Sequence, residues 1–162
     1  MLPVGATAPD FVLPDFAGQE HRLADALAAG PVVLAFLKAD CATCRLAFPY
    51  LERLRQAYRN GRWHLWGISQ HPARAAEWFA TNTGVTFPIL IDGEGFPVAH
   101  AYDPDATPTI FLVDRSGAIR AEHMGLMKRE LNALAGQLAA MLGEPAVTIA
   151  PPDDATPSFK PG

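Results

Sequence analysis

The sequence predicts an α/β domain: a central mixed sheet, mostly parallel, with helices on both faces and an N-terminal β-hairpin extension. Three observations carry this prediction. Apolar runs at 31–38, 64–69 and 85–91 lack the alternation of a strand with one wet face, so they read as buried strands. Segments with apolar residues at helical spacing lie between them. Near the end of the pattern, TIFLVDRSGAIRAEHMG at 109–125 reads as two strands around a turn at Arg115, Ser116 and Gly117. Strands alternating with helices imply parallel pairing, and the late hairpin adds an antiparallel edge.

The elements follow in order. FVLPDFAGQEHRL, residues 11–23, gives two short extended pieces around a turn at Ala17 and Gly18. PVVLAFLK at 31–38 is a central strand. From 42 to 59, Ala47, Leu51, Leu54 and Tyr58 form one helix face, closed by Asn60 and Gly61, with a kink expected at Pro49. HLWGIS at 64–69 is the next strand. Pro72 opens a helix with Ala75, Trp78 and Phe79 on its inner side, and Gly84 stops it. Trp66, Trp78 and Phe87 are read as core residues. In VTFPILI, Pro88 belongs at a strand start or on an edge. Asp92 precedes a short helix carrying Val98, Ala101 and Tyr102. Leu131, Leu134, Leu138, Met141 and Leu142 stripe a last helix, stopped by Gly143.

At 162 residues the chain fits one domain, placed at 1–143, and the Pro-rich, polar stretch 144–162 is expected to be a flexible tail. A composition of 49% hydrophobic and 19% charged residues excludes a largely disordered protein. The formal net charge of -4 offers nucleic acid no electrostatic attraction. Arg45, Arg53, Arg55, Arg59 and Arg62 cluster at helical spacing and read as a solvated face. No apolar run approaches the ~20 residues of a membrane span, and MLPVGATAPDF lacks a signal region. A cytoplasmic location is expected, or an extracytoplasmic one if a leader has been removed.

Chemistry concentrates in FLKADCATCRLAFP, residues 36–49, where the only two cysteines, Cys41 and Cys44, fall at a strand-to-helix junction. Helix N-termini at the carboxyl ends of parallel strands present unpaired N–H groups, which favour a thiolate by about 0.3–1 kcal/mol, up to about 2 when partly buried. Lys38 and Arg45 act in the same direction on Cys41, and Asp40 opposes them. Three-residue spacing lets a disulfide close across one helical turn. Cys41, at the helix start, is the expected attacking thiol; Cys44, one turn in, resolves the mixed disulfide. No metal is expected, because His21, His64, His71, His100 and His123 form no ligand spacing that would complete a four-coordinate site. No other cofactor is implied.

APDF at 8–11, the Gly18-Gln19 turn, FLKADCATCR at 36–45, FPYLERL at 48–54, GVTFPILID at 84–92 and TPTIFLVDRSG at 107–117 occur in the order found in one family. Over residues 5–142 the chain resembles the TlpA-like and redoxin (AhpC/TSA-type) branch of the thioredoxin superfamily. The resemblance implies a thioredoxin-like fold, a cis peptide before Pro108, and Thr107 and Pro108 facing the cysteines, with the Thr107 backbone pairing to extended substrate. The chain departs from the pattern where relatives place acids near the second cysteine: Ala35 and Ala47 stand there.

The resulting expectation is a thiol-disulfide oxidoreductase, reducing disulfides of proteins or small molecules and recharged by an upstream thiol reductant. One alternative is a peroxiredoxin-like thiol peroxidase. Its P-x-x-x-T-x-x-C pattern fits neither cysteine: counting back from Cys44 meets Cys41 and Leu37, and from Cys41 meets Lys38 and Leu34. Another alternative is a binding module of the same fold with incidental thiols.

Overall fold

The computed structural model describes residues 1–162. The hairpin consists of β1 (Val12–Pro14) and β2 (Glu20–Arg22), paired antiparallel with Val12 opposite Arg22. Asp15 holds its turn, one carboxylate oxygen accepting from the N–H groups of Ala17 at 2.9 Å and Gln19 at 3.0 Å. The helix α1 (Leu23–Ala29) follows directly, an element the sequence reading left out. Leu23 and Ala26 are its buried side.

The central sheet contains β3 (Val32–Leu37), and every residue of that strand is buried. After it come α2 (Ala42–Ala57), β4 (His64–Ser69), α3 (Ala73–Thr83), β5 (Ile89–Ile91) and α4 (Pro97–Tyr102). Next are β6 (Thr109–Val113), β7 (Ile119–Met124), β8 (Leu126–Met127), α5 (Lys128–Leu142) and β9 (Phe159–Lys160). The five-stranded sheet has the order β5-β4-β3-β6-β7. β3, β4 and β5 are parallel; β6 and β7 are antiparallel to their neighbours. This is the expected mixed sheet with its late hairpin at one edge.

Two cores form because β3 alternates its side chains between faces. Val33, Ala35 and Leu37 join one core with the inner sides of α2, α3 and α5. Val32, Leu34 and Phe36 join the other, with α1, α4 and the N-terminal segment. Trp66, on β4, belongs to this second core and meets Phe11 edge-on at 6.2 Å. Trp63 lies just ahead of β4 and donates its indole N–H to the Tyr58 carbonyl at 2.8 Å.

Trp78 is 52% exposed, and α3 buries Ala76, Phe79 and Ala80 instead, the i, i+3, i+4 face one residue away from the one expected. Ala101 is exposed, with Val98, Ala99 and Tyr102 forming the inner side of α4. Of the apolar run at 85–91 only the last three residues form a strand, which begins just after Pro88.

The largest correction concerns 144–162, which the sequence suggested would be loose. Ile149 and Ala150 are buried, and the Asn132 side chain accepts from both their N–H groups. The Asp154 carboxylate accepts from Tyr50 at 2.6 Å and from the buried Lys128 ammonium at 2.5 Å. Those contacts pull it well below the usual carboxylate range, to about 2, the Lys128 bond contributing most. The segment then returns as β9, antiparallel to β8, with Leu126 opposite Lys160 and Met127 opposite Phe159.

Candidate active site

β3 delivers the chain to the carboxyl end of the parallel strands, and the turn Lys38, Ala39, Asp40 leads into α2. Cys41 is the N-cap of that helix: its sulfur accepts from the Cys44 backbone N–H at 3.0 Å, the place an Ser or Asp oxygen usually fills. Both cysteines are free thiols, Cys41 half-buried and Cys44 fully buried. The Thr107–Pro108 peptide bond is cis, and the Thr107 carbonyl oxygen lies 3.3 Å from the Cys41 sulfur as its hydrogen-bond acceptor.

These contacts separate the two thiols chemically. The Cys41 thiol is brought down to about 6, first by its hydrogen bond with the Cys44 side chain. Burial opposes this; the Thr107 side chain and the backbone N–H groups of Cys44 and Thr43 reinforce it. Burial pushes the Cys44 thiol far up, and the hydrogen bond and charge of Cys41 add to that push. One cysteine is therefore poised as a thiolate near neutral pH and the other is held as a thiol.

The charged residues that the sequence singled out stand further back. Lys38, Asp40 and Arg45 are all exposed. Arg45 reaches the Ala39 carbonyl at 3.5 Å, and an Asp40 oxygen is 3.9 Å from His71 Nε2. None of the three is among the principal causes of the lowered Cys41 thiol. Thr107 and Pro108 are brought to the pair through the Thr107 carbonyl.

Three contributors escaped the sequence reading. His71 Nδ1 accepts from the Ala39 N–H at 3.2 Å, fixing the loop ahead of Cys41. Its signal was topological: His71 follows β4, the parallel neighbour of β3, so both chain ends emerge at the same rim. Thr43, buried between the cysteines, donates its hydroxyl to the Pro161 carbonyl at 2.7 Å. Residues 158–162 are the third, and no local pattern announced them. Ala35 and Ala47 are fully buried in the core beside α2, so neither position supplies an acid to Cys44.

A family model described as the AhpC/TSA family matches residues 4–122. The thiol-disulfide oxidoreductase ResA of Geobacillus kaustophilus is 38% identical over 130 residues, which cover 80% of this chain and 74% of that protein. Among solved structures, a Chlorobium tepidum protein described as a thiol:disulfide interchange protein DsbE superposes with a TM-score of 0.78 at 28% identity, covering 88% of this chain and 100% of that one. Peroxidoxin BcpB of Mycobacterium tuberculosis superposes at 0.72 with 27% identity, covering 88% and 97%. With its thioredoxin-like sheet, its Cys41-x-x-Cys44 helix cap and the matched span, the chain belongs to the AhpC/TSA family of the thioredoxin superfamily.

Proposed function

We propose that the protein is a thiol-disulfide oxidoreductase that reduces disulfides through Cys41 and Cys44. The observation that carries this is the opposed state of the two thiols, one lowered to about 6 and its neighbour pushed up by burial. The Cys41 thiolate attacks one sulfur of the substrate disulfide, forming a Cys41–substrate disulfide and expelling the other sulfur as a thiolate that takes a proton from solvent. That step consumes the negative charge of Cys41. Two of the three causes holding Cys44 protonated, the hydrogen bond and the charge of Cys41, vanish with it, leaving burial alone.

Cys44 then attacks the Cys41 sulfur, closing the Cys41–Cys44 disulfide. Its proton passes to the departing substrate sulfur, so no carboxylate is required where Ala35 and Ala47 stand. Overall the thiolate–thiol pair gives up two electrons and the Cys44 proton, solvent supplies the second proton, and the substrate disulfide leaves as two thiols. An upstream thiol reductant restores the pair. Lys38 and Arg45 assist as solvent-screened surface charges, opposed by Asp40, and the Thr107 backbone aligns an extended substrate. No helix is long and apolar enough to cross a membrane.

The test uses single variants with a protein disulfide. Cys44→Ser accumulates a mixed disulfide with substrate and Cys41→Ser forms none; reduction surviving in Cys41→Ser overturns the assignment. A reduction potential near -250 mV or lower marks a reductase, and one near -120 mV an oxidant. Peroxide consumption that needs Cys41 but not Cys44 would favour a peroxidase, the reading the peroxidoxin likeness supports.

A further inference from the structure

The groove between the two halves of the site is filled. Thr43, inside the cysteine motif, binds the Pro161 carbonyl from one side. On the other side Gly162 rests on the Thr107 loop so closely that a Cβ there would lie 2.7 Å from the Thr107 carbonyl oxygen and 2.9 Å from Ala106 Cβ. That is the same carbonyl the Cys41 thiol contacts at 3.3 Å. Residues 158–162 reach this position as an added strand: Lys128 N–H donates to the Ser158 carbonyl at 3.0 Å, and the β8–β9 ladder continues the pairing. Gly125 makes room, in a left-handed conformation (φ 73°) where a Cβ would come 2.6 Å from the Lys160 carbonyl oxygen.

The attachment is uneven along the segment. Upstream, Ile149 and Ala150 are buried and Asp154 is clamped by Tyr50 and Lys128. Downstream, Phe159 is 60% exposed and Pro161 and Gly162 are exposed. The distal part is thus held by backbone pairing and one hydroxyl bond, with little apolar surface lost on release, while the proximal part keeps it tethered. Beside it lies a cavity of about 630 Å³, bordered by Ala106, Met124, Met127, Phe159, Pro161 and Gly162.

We propose that residues 158–162 are a self-docked strap in the groove that receives an extended polypeptide, so that protein disulfides reach Cys41 only when the strap lifts, whereas small disulfides reach it past the strap. This rests on the oxidoreductase reading and adds its substrate class: an extended chain with a small residue over the Thr107 carbonyl, the position Gly162 holds. A substrate segment and the strap compete for the same backbone groups, so substrate affinity is reduced by the fraction of molecules with the strap down.

Two strap-released forms test this: the chain ended after residue 156, and Gly162→Val in the full chain. An unchanged unfolding midpoint for Gly162→Val establishes that it is folded. Expected is a kcat/KM for an unfolded protein disulfide that rises about five- to tenfold in both forms, the net strength left to the strap's few exposed hydrogen bonds after the cost of ordering it, with a small aromatic disulfide reduced at an unchanged rate. Alkylation of Cys41 gives a readout independent of turnover: iodoacetamide reacts equally with all forms, and a maleimide carried on an extended peptide reacts faster with the released forms. Equal rates for the peptide reagent across all forms overturn the strap, whatever the reductase assay returns. Absence of disulfide reduction in every form, with the peptide reagent still accelerated, would instead overturn the oxidoreductase reading and leave the strap standing.

Discussion

The backbone N–H of Cys44 points at the Cys41 sulfur across 3.0 Å, so the second cysteine stabilises the first as a thiolate before either has reacted. The relationship runs in opposite directions for the two groups: Cys44 lowers the Cys41 thiol, and the Cys41 charge raises that of Cys44. Alkylation of the reduced protein with iodoacetamide across pH 4 to 9 therefore follows a single titration with its midpoint at about 6, at Cys41 alone. Lys38→Gln and Arg45→Gln move that midpoint by no more than about half a unit, as surface charges do. Mass mapping of the label checks the site; a midpoint near that of an ordinary thiol, or comparable label on Cys44, contradicts the geometry.

His71 pins the turn that leads into the pair by accepting from the Ala39 N–H at 3.2 Å, and Ala39 is buried. His71→Ala leaves that donor without its partner and costs about 1–2 kcal/mol of folding stability, measured by urea unfolding. The released loop also frees the Cys41 cap, so thiolate reactivity near pH 6 drops in the same variant. A stability change below about 0.3 kcal/mol would show that water replaces the imidazole without loss.

Lys128 and Asp154 predict a non-additive pair. Asp154→Ala strands a buried ammonium, and the unfolding midpoint falls steeply. Lys128→Met in the same molecule removes the stranded charge and recovers part of the loss, so the double variant melts above Asp154→Ala. Additive losses in thermal unfolding would mean that the ammonium reaches solvent once its partner is gone.

His123 sets an acid limit. It is buried with Nε2 unpartnered, and burial lowers it to about 4 against a weaker opposing pull from Glu130. The unfolded chain takes up a proton near pH 6.5 and the native one only near 4. The contribution is whole above about 6.5, drains as pH falls toward 4, and falls no further below that, amounting to roughly 3 kcal/mol. Asp114 and Asp154, both held at about 2, add their own losses only below the ordinary carboxylate range near 3.8. In His123→Gln, urea midpoints flatten between pH 6.5 and 4 while the steeper fall below 4 persists. An unchanged slope in the upper window would assign it to another group.

Much of this architecture could be read from residues alone, because its signals are local. The run PVVLAFLK is apolar on both sides and became β3; Ala47, Leu51 and Leu54 kept helical spacing and became the buried side of α2. The cysteine pair was legible for the same reason, since its strand-to-helix setting is written within ten residues. What failed was decided at a distance. Trp78 is the largest apolar side chain of α3, yet the packing chose Ala76, Phe79 and Ala80, a face defined by what α2 and the sheet leave open. The stretch 144–162 has a polar, Pro-rich composition, and its order comes from partners such as Asn132, Tyr50 and Lys128, none of which is near it in sequence. His71 and Thr43 are single polar residues whose roles exist only once neighbouring strands or the strap bring a partner.

The placement of the indoles decides how the protein can be watched. Asp40, not a tryptophan, precedes Cys41. Trp63 lies ahead of β4, and since His64 pairs with Val32 it sits at the end of the sheet opposite Cys41, about six residue rises or roughly 20 Å away along the strands. Trp66 is in the core on the other face, and Trp78 stands half in solvent on α3. With Trp63 at the far end of the sheet and no indole inside the cysteine motif, intrinsic emission reports first on loss of the fold, and a redox titration of this protein is better followed by thiol labelling than by its own light.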